Sequence, residues 1–125
     1  MKTDFNGDGK SDILITSPWG LGIMNLSQST MAMQMMSPNN TRFGEWLLNT
    51  NDNNTELKGD FDGDGRAEIL MSSPWGIGIL KLINGNLTSI AMAQNGTRHG
   101  GWIVNTVDNQ FYLPLILTKM EKKKY

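Results

Sequence analysis

Apolar side chains along this chain come in short runs with a two-residue beat, broken by clusters of Gly, Asn, Asp and Ser. Asp12–Ser17 (DILITS) and Glu68–Ser73 (EILMSS) are short and rich in strand formers. Gly20–Leu26 (GLGIMNL) and Gly76–Leu82 (GIGILKL) alternate small and large residues after a Pro-Trp-Gly turn. Thr30–Ser37 alternates apolar and polar residues for part of its length. Leu87–Ala93 follows Asn84-Gly85, a strong hairpin signal because both residues tolerate positive φ. Glu45–Thr50 (EWLLNT) and Gly101–Thr106 (GWIVNT) end the series. A period of two marks strands, and no stretch carries helix-capping signals. The expectation is an all-β chain with four strands in each half and no helix.

The halves are copies. Asp4 aligns with Asp60, Trp19 with Trp75, Arg42 with Arg98 and Trp46 with Trp102, always 56 residues apart. Over residues 4–53 against 60–109, 24 of 50 positions are identical. Four antiparallel strands in about 50 residues is the blade of a β-propeller. The units expected are residues 1–56 and 57–112, with 113–125 as a terminal strand and Lys-rich tail. Two blades alone expose faces and edges that a propeller buries. The favoured expectation is that the ring closes by homo-oligomerisation, three chains giving six blades or four giving eight; the alternative is that the chain is a piece of a longer propeller. A third acidic loop would begin at residue 116, where Ile116 stands instead.

Composition narrows the classes. There is no cysteine, which excludes disulfides and thiolate chemistry. The net charge is −1, and the basic residues form no face for nucleic acid. No apolar run is long enough for membrane insertion. No signal peptide is visible, which leaves localisation open between cytoplasmic and export by another route.

Seven of the twelve acidic residues lie in two loops. Asp60, Asp62, Asp64 and Glu68 stand at positions 1, 3, 5 and 9 of a Ca²⁺-type loop; Gly65 permits the sharp turn and the Arg66 carbonyl supplies position 7. The first copy offers Asp4, Asn6, Asp8 and Asp12, with Gly9 and the Lys10 carbonyl. Hard oxygen donors at this spacing suit Ca²⁺. An EF-hand does not fit: position 12 is Ile15 or Met71 rather than a bidentate Glu, and the flanks are strands. The ion is expected to staple the fold, because metal binding contributes directly to folding.

A second recurrent set is aromatic and amide-rich. It comprises Ser17, Pro18, Trp19 and Gly20 with Asn40, Thr41, Arg42 and Trp46. Its copy comprises Ser73, Pro74, Trp75 and Gly76 with Asn95, Gly96, Thr97, Arg98, His99 and Trp102. Trp offers a flat apolar face with an N–H handle, and Asn, Thr and Arg surround it with donors and acceptors. A neutral polyhydroxylated ring suits that combination, which makes carbohydrate the expected ligand. Packing competes as the role of Trp46 and Trp102, which fall within predicted strands. His99 is the only histidine and its counterpart is Phe43, so it is expected to line a pocket rather than act as a base. No paired carboxylate outside the metal loops repeats in both units, and no enzyme is expected.

The stretches DFDGDGRAEIL, SPWGIGIL and NGTRHGGW…NT resemble, in that order, the repeats of fungal integrin-like propeller lectins of the Psathyrella velutina and Agrocybe type. The acidic loop alone resembles the wider FG-GAP calcium repeats of integrins. The resemblance spans nearly all of residues 4–109 and implies a calcium-stabilised β-propeller. It also implies glycan partners bearing terminal N-acetylglucosamine, held multivalently by the Ser-Pro-Trp-Gly and Asn-x-Thr-Arg stretches. The rival expectation is an integrin-like calcium-binding adhesion or scaffold module that binds protein rather than sugar.

Overall fold

The computed structural model describes residues 3–112, and strands are the only regular elements among them. In chain order they are β1 (Ile13–Ser17), β2 (Gly20–Ser27), β3 (Thr30–Pro38), β4 (Arg42–Phe43), β5 (Trp46–Leu47) and β6 (Asn54–Gly59). There follow β7 (Glu68–Ser73), β8 (Gly76–Ile83), β9 (Asn86–Gln94), β10 (Arg98–His99) and β11 (Trp102–Ile103). One antiparallel sheet runs β1-β2-β3 and a second runs β6-β7-β8-β9; β4-β5 and β10-β11 are small hairpins. The architecture is all-β and propeller-like. The described residues close no ring, and the expected terminal strand at 113–125 lies outside them.

The backbone repeats as faithfully as the sequence. A register shift falls between Ile23 and Met24 and again between Ile79 and Leu80. Positive φ recurs at Gln28 (53°) and Asn84 (53°), and at Asn40 (77°) and Gly96 (90°). Asn is among the few side chains that tolerate this conformation, which accounts for Asn40 standing where the other unit has glycine.

The fourth strand of each unit is not where the sequence pattern put it. Glu45–Thr50 and Gly101–Thr106 shrink to the two-residue strands β5 and β11. Side chains take over the backbone immediately afterwards. Asn53 Oδ1 accepts the Asn49 N–H at 2.9 Å, and Asn39 Oδ1 accepts the Thr50 N–H at 2.9 Å. The Thr50 hydroxyl donates to the Ser17 carbonyl at 2.5 Å. Local Asn and Thr bonds of this kind compete with sheet ladders. The true fourth strand of the second sheet is β6, which straddles the expected boundary at residue 56. Its sequence, NTELKG, carries little apolar signal because it is an edge strand.

The core lies between the two sheets. Leu21, Ile23 and Met35 of the first sheet face Ile69, Met71, Leu80 and Leu82 of the second, with Phe5, Phe43, Trp46 and Leu48 between them. Trp46 is the largest fully buried side chain. Its ring lies on Gly78, where an added Cβ would stand 2.6 Å from the indole, and 4.8 Å from the ring of Trp75. Glycine at 78 is thus fixed by the close approach of the tryptophan rather than by its own φ. The sheets pack through this Trp-on-Gly contact.

Candidate functional site

The acidic loop of the second unit connects β6 to β7 and winds tightly round its first carboxylate. Asp60 Oδ1 accepts the N–H groups of Gly63 (2.8 Å) and Asp64 (3.1 Å), and Oδ2 accepts that of Gly65 (2.8 Å). Gly63 and Gly65 supply the positive φ, 78° and 91°, that this winding needs. Asp64 Oδ1 accepts the Arg66 N–H at 2.9 Å, which turns the chain toward β7. The first loop repeats the pattern. Asp4 accepts Gly7, Asp8 and Gly9, Asp8 accepts Lys10, and Asn6 Oδ1 accepts Asp8.

The winding brings four carboxylates together. Oxygens of Asp60, Asp62, Asp64 and Glu68 all lie within 4.8 Å of one another, and this group can hold a metal ion. Glu68 opens β7 and is completely buried. Its Oε1 accepts the N–H groups of Phe61 (2.7 Å) and Asp62 (3.2 Å). Its Oε2 is buried with no hydrogen-bond partner, and so is Asp12 Oδ1, its counterpart in the first unit. A buried carboxylate oxygen without a donor is costly, and a cation is the partner that the neighbouring carboxylates would share. The donor set is all oxygen, the set that suits hard divalent ions. Asp4, Asp8 and Asp12, by contrast, do not draw together in this way; among the described residues the second loop alone forms such a group.

Electrostatics follow from the crowding. Burial pushes the Glu68 carboxyl up, with the charges of Asp62 and Asp64 adding to the shift and the two amide bonds opposing it. Burial pushes Asp12 up in the same way. Lys81 on β8 reaches over the loop. Its ammonium donates to Asp62 Oδ2 at 2.5 Å and also to Asp64 Oδ2. That bond holds the Asp62 carboxyl down at about 2, and the two carboxylates raise the Lys81 pKa in return. Lys81 was not legible as part of the loop. It lies 13 residues beyond Glu68, its counterpart is Asn25, and only the β7–β8 pairing brings it over the acids.

The aromatic set divides. Ser17 and Ser73 brace the turns: each hydroxyl donates to the glycine carbonyl three residues on and accepts the tryptophan N–H. Gly20 and Gly76 are buried against β3 and β9, where a Cβ would meet the Ser37 or Ala93 carbonyl at 2.3 Å. These four residues shape the turns; Gly20, Ser73 and Gly76 are buried and Ser17 is half-buried. Trp46 has no exposed surface and packs within the core. Pro18 and Pro74 are exposed, and their carbonyls accept the amides of Asn39 (2.9 Å) and Asn95 (3.0 Å). Thr41 caps the end of β3 through its N–H, and Arg42, Arg98 and Asn40 face solvent.

Trp19, Trp75 and Trp102 keep large exposed surfaces. Beside β9 lies an open groove of about 360 Å³ lined by Glu45, Met92, Ala93, Gln94, Thr97 and His99. Thr97 Oγ1 sits 3.2 Å from His99 Nε2. Glu45 comes from the first unit and the others from the second, so the groove runs along the junction between the sheets. Gln94 and Glu45 were not among the candidates. Their counterparts are Pro38 and Gly101, so no repeat signal marked them.

An FG-GAP repeat is present. The FG-GAP repeat family model matches residues 1–27, which cover the first acidic loop, β1 and β2. Within that FG-GAP stretch lie Asp4, Asn6, Asp8 and Asp12, and the second unit carries the same arrangement 56 residues on. No curated protein and no solved structure matches the chain. No helix of the described residues is long and apolar enough to cross a membrane.

Proposed function

We propose that this chain is a calcium-stapled, non-enzymatic carbohydrate-binding protein. Ca²⁺ is the ion because the site offers oxygen alone: Asp60, Asp62, Asp64 and Glu68, with the Arg66 carbonyl completing the loop. Ca²⁺ accepts six to eight such donors in irregular geometry. It neutralises the acidic cluster and ties the entry of β7 to the loop; it does no chemistry on a substrate.

The observation that supports sugar binding is Trp75. It is 39% exposed on a turn pinned by Asn95, and the same unit carries, at β9, an open groove that combines hydroxyl, amide, imidazole and carboxylate groups with Met92 and Ala93. An apolar ring face beside several short polar side chains suits a pyranose, which has apolar C–H faces and a hydroxyl rim. Terminal N-acetylglucosamine is the proposed ligand class, with Trp75, Thr97, Arg98 and His99 as contacts. Trp19, Thr41 and Arg42 form the weaker counterpart, in which His99 is replaced by buried Phe43. Two sites per chain would favour multivalent glycans through avidity.

Trp75→Ala is expected to reduce binding on a glycan array tenfold or more while far-UV circular dichroism and calcium binding stay unchanged. Equal binding by the variant would refute the assignment. Absence of sugar binding by the unmodified protein, with and without calcium, would favour the protein-binding adhesion module, which the FG-GAP repeat fits equally well.

A further inference from the structure

The two sheets share one interface, and each half of that interface has an exposed copy on the outside of the molecule. Antiparallel partners share a face, so Ile69, Met71, Gly78 and Leu80 form the face of the second sheet that meets the first. Ile69 and Met71 there are 0% and 1% exposed. Their counterparts on the first sheet, Ile13 and Ile15, are 45% and 46% exposed. Met31, Met33 and Met36 stand exposed on the same face, which bounds a hollow of about 160 Å³ at Gly22 and Trp19. Gly22 is the counterpart of Gly78, and Trp19 that of Trp75.

The other half is duplicated on the second sheet. Leu21, Ile23, Met35 and Phe43 are buried in the interface. Their counterparts Ile77, Ile79, Ala91 and His99 line an open apolar hollow. Trp102, the counterpart of Trp46, is 64% exposed. It is nonetheless held in the same way: Trp46 Nε1 donates to Asn53 Oδ1 at 3.1 Å, and Trp102 Nε1 to Asn109 Oδ1 at 3.3 Å. The indole is held like a packing residue but, among the described residues, stays largely uncovered.

We infer that a second copy of this chain docks head to tail, its Trp102 entering the hollow at Gly22 and Trp19 as Trp46 enters the one at Gly78 and Trp75. The occupant is another copy because the missing partner surface is one that this chain already makes, in the same register, with the same Trp-on-Gly approach. The same step brings Gln110, Phe111 and Tyr112 of that copy to the outer edge of β1. They are the counterparts of Asn54, Thr55 and Glu56 in β6, which pairs with β7, and β1 has no partner on that edge among the described residues. The contact between copies is more apolar than the internal one. Ser89, which accepts the Glu45 N–H at 3.0 Å, corresponds to Met33, and Glu45 corresponds to Gly101. Flexible methionines suit a surface that is exposed before assembly. The contact is heterologous, so it propagates until a ring closes. The inference does not depend on whether the grooves take sugar.

Two substitutions spoil opposite faces: Trp102→Glu on one and Ile15→Lys on the other. Mass is read by sedimentation velocity and native mass spectrometry. The unmodified 125-residue chain is expected as a closed oligomer of defined size, and each variant alone as a folded monomer. An equimolar mixture of the two variants is expected to give a one-to-one heterodimer, because one sound interface remains between them. Should Ile15→Lys fail to fold, Met36→Lys on the same face takes its place. A monomeric unmodified chain at 100-fold dilution steps from about 100 μM, an oligomer that survives both substitutions, or a mixture that stays monomeric would overturn the inference.

Discussion

Trp46→Ala is expected to destabilise the chain by about 3–5 kcal/mol, the range for truncating a buried aromatic. Three features argue for the upper half of that range. Trp46 has no exposed surface, its ring is stacked on the backbone of Gly78, and its N–H is satisfied by Asn53. Truncation leaves a void that β8 cannot fill, because Gly78 has no side chain to move inward, and strands β7 and β9 hold it on both sides. It also takes one partner from Trp75, whose ring lies 4.8 Å away, so the exposed turn should lose order too. Urea titration followed by tryptophan fluorescence and circular dichroism gives the number. A loss below about 1 kcal/mol would show that the sheets do not depend on this contact. Trp102→Ala, measured in the monomeric Ile15→Lys background, is expected to cost far less, since most of its surface already meets solvent.

Calcium is expected to raise stability by about 2.7 kcal/mol at a hundredfold excess over its dissociation constant, as binding to the folded state alone requires. Glu68→Gln should abolish most of that gain. The substitution keeps the shape and can still accept the Phe61 amide, but it removes the charge from the one ligand that is fully buried. Thermal unfolding with calcium and with chelator checks both statements, and an unfolding temperature indifferent to calcium would refute the site.

The pH dependence should differ in sign between the two conditions. Without metal, burial raises the Glu68 carboxyl, so the folded chain holds that proton more tightly than the unfolded chain does. Its contribution is present below the ordinary carboxylate range and is lost as pH rises through the raised value. Metal-free protein should therefore gain stability on mild acidification from neutral pH. Asp62 acts in the opposite direction: its carboxyl is held at about 2, and its pairing with Lys81 is lost only as pH falls toward that value. With calcium bound, Glu68 must be ionised, and acidification should weaken binding.

Much of the fold was legible because the sequence repeats. The strands β1, β2, β3, β7, β8 and β9 coincide closely with the runs marked by strand-forming residues or alternation; β8 is most buried at every second position, whereas β7 is buried throughout. The hairpin at Asn84-Gly85 forms with φ of 53° and 82°, as those residues favour. The four acids of the second loop converge as their spacing implies, because glycines at alternate positions let the chain wind round Asp60. The misses share a cause. The strand expected at Glu45–Thr50 ends at Leu47, because the side chains of Asn53 and Asn39 capture the backbone at Asn49 and Thr50. At Asn54–Gly59 a strand formed from pairing alone, with little hydrophobic pattern to announce it.

The sequence by itself determined that the chain repeats, where six of its strands run, and that Asp60, Asp62, Asp64 and Glu68 would meet. These are local matters of period, turn chemistry and spacing. Only the tertiary structure decided which copy of each residue is buried. Trp46 and Trp102 sit in nearly identical local sequences and make the same hydrogen bond, yet one is core and the other surface. The difference lies in the neighbour. Burial is a property of two surfaces meeting, and the first unit has the second to close against, whereas the second presents the same face with no sheet beside it among the described residues.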